Sequence, residues 1–376
     1  MIFVENYNPT RVAFSDFDLS EISSLISLHE KVLLVISETL LNLRPEIPSF
    51  FPEDTFVYST SGSNPDLQIV DKVRFPEDCS QVVGIGGGSK LDIAKALFSK
   101  LISNKSISLK KLVENPNLLD PFKSVRAQYK LDLVPTTSGS SSEVTKWGTL
   151  WDFEKKKKYS VDNELLYADT ALIAPRLSLT VPKEITAFTG LDVFSHALES
   201  IWNKKRNFIT VNFALDSIRL CIETLPKLLK NLDSLEYRDA MSKACLLAGY
   251  AFSQTRTSAA HALSYPLTLF HNIPHGFACS ITLGSIFDYN ITKNQEGLDD
   301  VLDIFQSRYG DKHSSFQDCY NRFLEDCEVS SKLSEYGVKQ ADIPRLVDNA
   351  FHPDRFSNML HNLSLKEVED IYYAVL

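Results

Sequence analysis

Between Gln81 and Ala96 the chain reads Gln-Val-Val-Gly-Ile-Gly-Gly-Gly-Ser-Lys-Leu-Asp-Ile-Ala-Lys-Ala, an apolar strand that ends in glycines and passes at once into a helix. Glycines at 84, 86, 87 and 88 let the backbone turn sharply and approach a ligand with no Cβ in the way, while the free amides of a helix start face an anion. A pyrophosphate-type loop after a buried strand belongs in a parallel sheet flanked by helices. Ser89 stands where the last glycine of the usual G-x-G-x-x-G turn would be, and the loop comes late in the chain rather than at its first βα turn. Ser89 and Asp92 have capping-box spacing, so they are expected to cap a helix over 89–101.

The rest of the N-terminal half keeps the same rhythm. Strands are expected over 31–36, 55–58, 81–85 and 131–134, and a helix over 19–29 capped by Asp18. After Val181-Pro182 the texture changes to long helical patterns, as in 212–229, 237–252 and 365–375. A chain of 376 residues exceeds what one core usually supports. The expectation is an α/β domain over 1–180, a parallel sheet with flanking helices, followed by an all-α domain over 181–376. Glu154 to Lys158 reads as a solvated hairpin turn.

Charge and cysteine usage remove several function classes. A net charge of -9 argues against a nucleic-acid footprint or a polybasic membrane anchor. No stretch reaches the roughly 18 apolar residues of a membrane span, and the first residues lack a secretory signal pattern. The six cysteines form no C-x-x-C pair, so they read as buried thiols in a reducing compartment, and a cytoplasmic location is expected.

Three further stretches carry chemistry. The hydroxyl-rich run Val134-Pro-Thr-Thr-Ser-Gly-Ser-Ser-Ser-Glu-Val144 suits hydrogen bonds to phosphate, ribose or carboxamide, and equally a polar loop capping a helix. In Thr189–Trp202, Asp192 and His196 stand four apart, on one face if the segment is helical. A carboxylate and an imidazole one turn apart can grip a metal ion, although the spacing alone also fits a solvated helix face. From Ser258 to Ala278, three of the eight histidines fall within fifteen residues: His261, His271 and His275. With Asp192 and His196, His261 and His275 supply one oxygen and three nitrogens, a set that suits Fe2+ or Zn2+. His271 is the spare, a pocket-lining or surface histidine.

Together these motifs resemble the iron-containing, or group III, alcohol dehydrogenase family. The resemblance rests on Gly86-Gly-Gly-Ser-Lys-Leu-Asp-Ile-Ala-Lys95, Pro135-Thr-Thr-Ser-Gly-Ser-Ser-Ser-Glu143, Thr189-Gly-Leu-Asp-Val-Phe-Ser-His-Ala-Leu-Glu199, His261-Ala-Leu and Pro274-His-Gly276, in that order. It implies a dinucleotide-binding α/β domain, a helical domain, an architecture like that of dehydroquinate synthase, and one divalent metal in the cleft between the domains. It implies metal ligands at Asp192, His196, His261 and His275. Cofactor contacts are implied at Asn64, Gly86, Gly87, Gly88, Ser89, Asp92, Thr136, Thr137 and Ser140. A homodimer acting on a small aldehyde or alcohol is the implied assembly, with no nucleic acid or membrane as partner.

The chain departs from the family at three points. Tyr265 replaces a second histidine four residues after His261, so Tyr265 and His271 are the remaining candidates for proton delivery. Phe14-Ser-Asp-Phe17 replaces a Phe-Gly-x-Gly turn. Ser37, followed by Glu38, stands where NAD-preferring members often carry Asp; a serine does not repel a 2′-phosphate, which favours NADPH over NADH. Thr145–Trp151, Ile201–Asn203 and His261–Pro266 resemble the branch that includes phosphonoacetaldehyde reductases. Lys146, Trp147, Asn203, Arg206 and Arg256 are accordingly the expected substrate contacts, with Lys204 and Lys205 beside them. The expected reaction is metal-dependent hydride transfer to a small aldehyde, phosphonoacetaldehyde first, with sulfoacetaldehyde or an uncharged short-chain aldehyde as alternatives. A zinc-dependent glycerol-type or cyclase-type enzyme, a metal-dependent hydrolase and a non-catalytic binding protein are the competing readings.

Overall fold

The apolar run at Val32–Ser37 is unbroken because both of its faces are covered. Leu33 and Val35 enter one core with Val82, Leu131, Leu91, Ala94 and Phe98, whereas Val32, Leu34 and Ile36 enter another with Val83, Ile85, Val134 and Leu172. This two-sided burial is the mark of a parallel sheet. A computed structural model describes residues 6–76, 78–293, 297–350 and 353–376 and divides the chain into two units. One is Asn8–Thr180; the other is Val181–Leu376, which also takes in Tyr7.

The first unit contains β1 (Arg11–Phe14), β2 (Val32–Ser37), β3 (Phe56–Thr60), β4 (Gln81–Gly86), β5 (Lys130–Pro135), β6 (Trp147–Asp152), β7 (Lys157–Asp162) and β8 (Thr170–Ile173). Among the described residues, six of these form one sheet in the order β1-β8-β5-β4-β2-β3, every pairing parallel. Gly84 in β4 pairs with Val35 of β2 on one side and Leu133 of β5 on the other. From β2 the chain steps outward to β3, then returns to the opposite side for β4 and β5. The carboxyl ends of β2 and β4 therefore flank the topological switch point, where open α/β sheets bind ligands. Helix α1 (Gly88–Ile102) follows β4 and is buried almost all round. The antiparallel hairpin β6–β7 covers its outer side, so closely that a Cβ on Gly148 would fall 2.7 Å from the Asp92 carbonyl oxygen. The turn of this hairpin holds Glu154, Lys155 and Lys156, all exposed.

Two local expectations are corrected. The stretch 19–29 is a short 3-10 turn and one α turn ending at Leu25; Ile26 is extended, and the backbone N–H of His29 donates to Gln81 Oε1 at 2.8 Å. A tertiary contact thus overrides the helical spacing. Asp18 does cap this segment, accepting from Ser20 N. The Ser89–Asp92 capping box does not form: Gly87 is the N-cap of α1, without a side-chain cap. Ser89 Oγ instead donates to the Ser63 carbonyl, and Asp92 Oδ1 accepts from Ser142 Oγ at 2.7 Å. Strands β1 and β8, each of four residues, were too short to stand out as apolar runs.

In the second unit, the described elements are helices, short helical turns and one isolated bridge between Asn203 and Met359. Its core is continuous, and α2 (Lys183–Ile201) runs through it. Phe194 of α2 meets Phe305, Tyr320 and Phe323 at ring centroid separations of 5.6 Å each. Against α2 pack α3 (Phe208–Lys230), α4 (Leu235–Thr255) and the short α6 (His275–Ile281), which follows α5 (Ala259–His271). Among the described residues, no helix is long and apolar enough to cross a membrane.

Candidate active site

The glycine loop is shaped by close approach. Gly86 has φ +152°, and a Cβ there would fall 2.7 Å from Lys90 Cγ; at Gly88 it would fall 2.2 Å from Ser140 Oγ. These two positions require glycine. The same contacts bring the hydroxyl run onto the loop, with Thr136 N donating to Gly86 O at 3.0 Å and Thr137 Oγ1 lying 3.3 Å from the Cβ position of Gly87. Ser37 ends β2 beside them, its Cβ 3.5 Å from that of a side chain built on Gly86. Asn64 is exposed, next to Ser63, which receives the Ser89 hydroxyl. The expected cofactor residues thus gather around the switch point and the α1 N-terminus. Asp92 is the exception, since its carboxylate is turned to Ser142.

Behind the loop lies an ion cluster that the sequence did not single out. Lys95 is fully buried, and its Nζ donates to Ser142 O, to Ser142 Oγ at 2.9 Å, to Thr145 Oγ1 at 3.0 Å and to Trp147 O at 2.9 Å. Burial lowers its pKa to about 8 against the attraction of Asp92 and Glu143. Burial likewise raises Glu143 to about 7. One lysine thereby ties the hydroxyl run and the hairpin to α1.

In the helical unit, α2 and α5 bring Asp192, His196 and His261 together. Nε2 of His196 and Nε2 of His261 are 3.1 Å apart, and Asp192 Oδ1 is 3.8 Å from the first and 3.5 Å from the second. Two ligands bound about 2.1 Å from one tetrahedral ion stand roughly 3.4 Å apart, so this triangle fits around an ion. Asp192 Oδ1 is buried and makes no hydrogen bond, an arrangement that is unfavourable unless a cation compensates it. His275, first residue of α6, completes the group: its ring centroid is 5.4 Å from that of His261, and the donor atoms of Asp192, His261, His275 and Cys279 all lie within 4.8 Å of one another. Gly276 makes this possible. A Cβ there would lie 1.8 Å from the Phe188 carbonyl oxygen, so only glycine lets α6 rest on the α2 backbone.

The field at this point favours positive charge. Burial opposes protonation of His261, yet Cys279, Glu199 and Asp192 around it push its pKa well above the ordinary histidine range. Burial also works against ionising Asp192, but the surrounding histidines hold its carboxyl well below the usual range. Glu199, one turn beyond His196 on α2, is fully buried, with Oε2 2.5 Å from His261 Nδ1. It also accepts from Ser258 Oγ at 2.9 Å and from Ala260 N at 2.7 Å. With Nδ1–H given to Glu199, Nε2 is the nitrogen that faces Asp192 and His196, and it would release its proton to take up an ion there. Trp202 Nε1 donates to Ser258 Oγ at 3.0 Å, extending the chain of bonds outward. Sequence reasoning overlooked Glu199 and Cys279; the signals were Glu199 three after His196 and Cys279 four after His275, each one helical turn on.

The other expected residues are placed as follows. Tyr265 is buried on α5 and stacks near His275, centroids 6.2 Å apart. His271 lies at the end of α5, ten residues and about 15 Å of helix rise beyond His261. Lys146 is paired with Glu164 at 3.7 Å, and the Trp147 carbonyl serves Lys95. Arg206 Nη1 donates to Ile201 O at 3.0 Å, and Asn203 Nδ2 to Arg256 O at 3.3 Å. Arg256 ends α4 with φ +67°, a strained conformation for a residue with a side chain.

A parallel α/β unit with a glycine cradle at its switch point and a helical unit with a buried carboxylate–imidazole cluster define a two-unit dehydrogenase, and this chain belongs to the iron-containing alcohol dehydrogenase family. The family's C-terminal model matches residues 186–376, and the iron-containing alcohol dehydrogenase model matches residues 9–175. Among its relatives is the sulfoacetaldehyde reductase of Bilophila wadsworthia, 34% identical over 74% of this chain and 71% of that protein. The NAD-dependent methanol dehydrogenase of Bacillus methanolicus is 27% identical over 85% of this chain and 86% of its own. The fold matches the crystal structure of a sulfoacetaldehyde reductase from Bifidobacterium kashiwanohense in complex with NAD+, with a TM-score of 0.85 and 24% identity, covering 100% of this chain and 99% of that one. The chain is therefore an oxidoreductase of the alcohol dehydrogenase and aldehyde reductase type, and this placement decides against a hydrolase.

Proposed function

We propose that this enzyme reduces a two-carbon aldehyde bearing an anionic head, sulfoacetaldehyde or phosphonoacetaldehyde, to the primary alcohol at the expense of NADPH or NADH. The observation that carries the substrate class is the likeness to the Bilophila wadsworthia reductase across most of both chains. That relative moves sulfonate ahead of phosphonate as the head group. In the balanced reaction the aldehyde takes a hydride and a proton, and the reduced nicotinamide is oxidised.

Asp192, His196, His261 and His275 are the proposed ligands of one divalent ion, Fe2+ or Zn2+. When bound, the ion supplies Lewis acidity to the carbonyl oxygen and the nicotinamide supplies the hydride. The chain's own residues do the positioning. Glu199 fixes the tautomer of His261; Phe252, stacked on His196 with centroids 4.1 Å apart, holds that ring in place. Gly86, Gly87 and Gly88 open the approach to the pyrophosphate, and the amides at the start of α1 bind it. Thr136, Thr137 and Ser140 offer hydroxyls to the same cofactor, and Tyr265 beside His275 is the proposed proton carrier. Lys146, Arg206 and Arg256 remain the cations proposed for the head group. Six buried cysteines outside any disulfide suit a reducing, cytoplasmic setting.

The test is kcat/KM for sulfoacetaldehyde, phosphonoacetaldehyde and propanal, each with NADH and NADPH. We expect the two anionic aldehydes to exceed propanal by about tenfold or more, the equivalent of about 1.4 kcal/mol in the transition state; equal values would refute the anionic-head reading.

A further inference from the structure

We infer that Cys279 Sγ is a fifth protein ligand of the ion proposed for Asp192, His196, His261 and His275, which makes this a mixed oxygen, nitrogen and sulfur site. The inference rests on the metal reading above and extends it to a residue outside the four ligands expected from sequence.

The geometry has three parts. First, His275 and Cys279 are four apart on α6, so they repeat on a second helix the one-turn spacing of Asp192 and His196 on α2. Asp192 of the first pair and both members of the second fall in one donor group with His261. Second, the distances suit coordination. A thiolate about 2.3 Å and an imidazole nitrogen about 2.1 Å from one five-coordinate ion stand roughly 3.1 Å apart at 90° and roughly 3.8 Å apart at 120°. Cys279 Sγ is 3.8 Å from both ring nitrogens of His275, and it lies within 4.8 Å of the donor atoms of Asp192 and His261. Third, Cys279 is fully buried, and Gly276 presses its helix onto the Phe188 carbonyl, so the sulfur has a fixed address at the cluster. The other five cysteines are also buried and outside any disulfide, but none of them belongs to the donor group found among the described residues.

Chemically, the thiol loses its proton to solvent as the sulfur takes up the ion. A soft donor biases the site toward thiophilic ions such as Zn2+ and Fe2+ and away from Mg2+ and Mn2+. This chain is therefore expected to discriminate more sharply against Mn2+ than its Cys279→Ser variant.

The test uses the full chain, stripped of metal and reloaded with Co2+. Absorption in the visible reports binding by the donor set, and a sulfur-to-cobalt charge-transfer band in the near ultraviolet reports the thiolate. The expected result is about one Co2+ per chain, both features in the wild type, and loss of the near-ultraviolet band alone in Cys279→Ser and Cys279→Ala. The ratio of Zn2+ to Mn2+ affinity is expected to fall about tenfold or more in these variants. Bound Co2+ with visible bands but no charge-transfer band in the wild type would overturn the assignment of Cys279 and leave the metal site standing. A band that survives in Cys279→Ala would overturn it too, by pointing to another thiol. Failure of the wild type to retain Co2+, or equal retention by Asp192→Asn, would overturn both readings. The wild-type spectrum alone decides the first case, and either variant, Cys279→Ser or Cys279→Ala, decides the second, so one variant that folds poorly does not remove the test.

Discussion

Glu199 makes none of the expected ligand contacts, yet it holds His261 Nδ1 and gathers Ser258 and Ala260 around the same carboxylate. Replacing it with glutamine weakens the acceptor and loosens the ring. Glu199→Gln should lower metal affinity about 10- to 100-fold, read by competition with a chromophoric chelator. A second prediction concerns Glu143. The folded chain keeps its proton up to about pH 7, whereas the ordinary value is 4.5, so the native state binds more protons in between. Stability is therefore full below about 4.5 and falls as pH rises towards 7, by on the order of 3 kcal/mol. Lys95 works in the opposite direction, adding stability as pH rises from about 8 to 10.5. Urea unfolding at pH 5 and pH 7 should show a smaller difference in Glu143→Gln than in the wild type. At this scale the sequence was partly legible. Asp192, His196, His261 and His275 stood out because histidine is rare and the spacing is helical. Glu199 and Cys279 offered only a one-turn spacing from His196 and His275, which is common on helices, and the partners that define Glu199, Lys95 and Cys279, namely His261, Ser142 and Asp192, lie far away in the chain.

Elements explain why those residues meet. Strands β2, β4 and β5 were readable as unbroken apolar runs because two-sided burial demands them. The helix expected over 19–29 was not to be read locally, since Gln81, some fifty residues on, captures the backbone at His29. The turn between β6 and β7 was legible from its charge run, but the burial of α1 beneath that hairpin was not. Two predictions belong here. Gly276→Ala places a carbon against the Phe188 carbonyl, so α6 must move. Overpacking of this kind costs about 1–3 kcal/mol, and both the melting temperature and metal content after dialysis should fall. At the switch point, Ser37 ends β2 next to Gly86, and Lys90 Nζ donates to the nearby Gly62 carbonyl. A carboxylate at this strand end would repel a 2′-phosphate. Ser37→Asp should lower the ratio of kcat/KM for NADPH over NADH by about tenfold or more, about 1.4 kcal/mol; an unchanged ratio would rule out Ser37 as the determinant.

For the whole molecule, each unit carries its own chemistry on its own core. The sheet unit was legible as an α/β fold and the second as helical, because composition changes abruptly after Val181-Pro182. The metal reading predicts that chelation lowers the melting temperature and that excess Zn2+ restores it, since an ion bound only by the folded state adds about 2.7 kcal/mol at a hundred times its Kd. A protein whose melting temperature ignores chelators would count against that reading. The hydrogen-bond chain from Trp202 through Ser258 and Glu199 to His261 has one more consequence. Trp202 is fully buried and is one of only three tryptophans in the sequence. Its indole is thus wired, three bonds long, to the ring of the proposed ligand His261, so the protein carries its own fluorophore at the proposed metal site, and a change in its emission on adding Zn2+ would report filling without an attached dye.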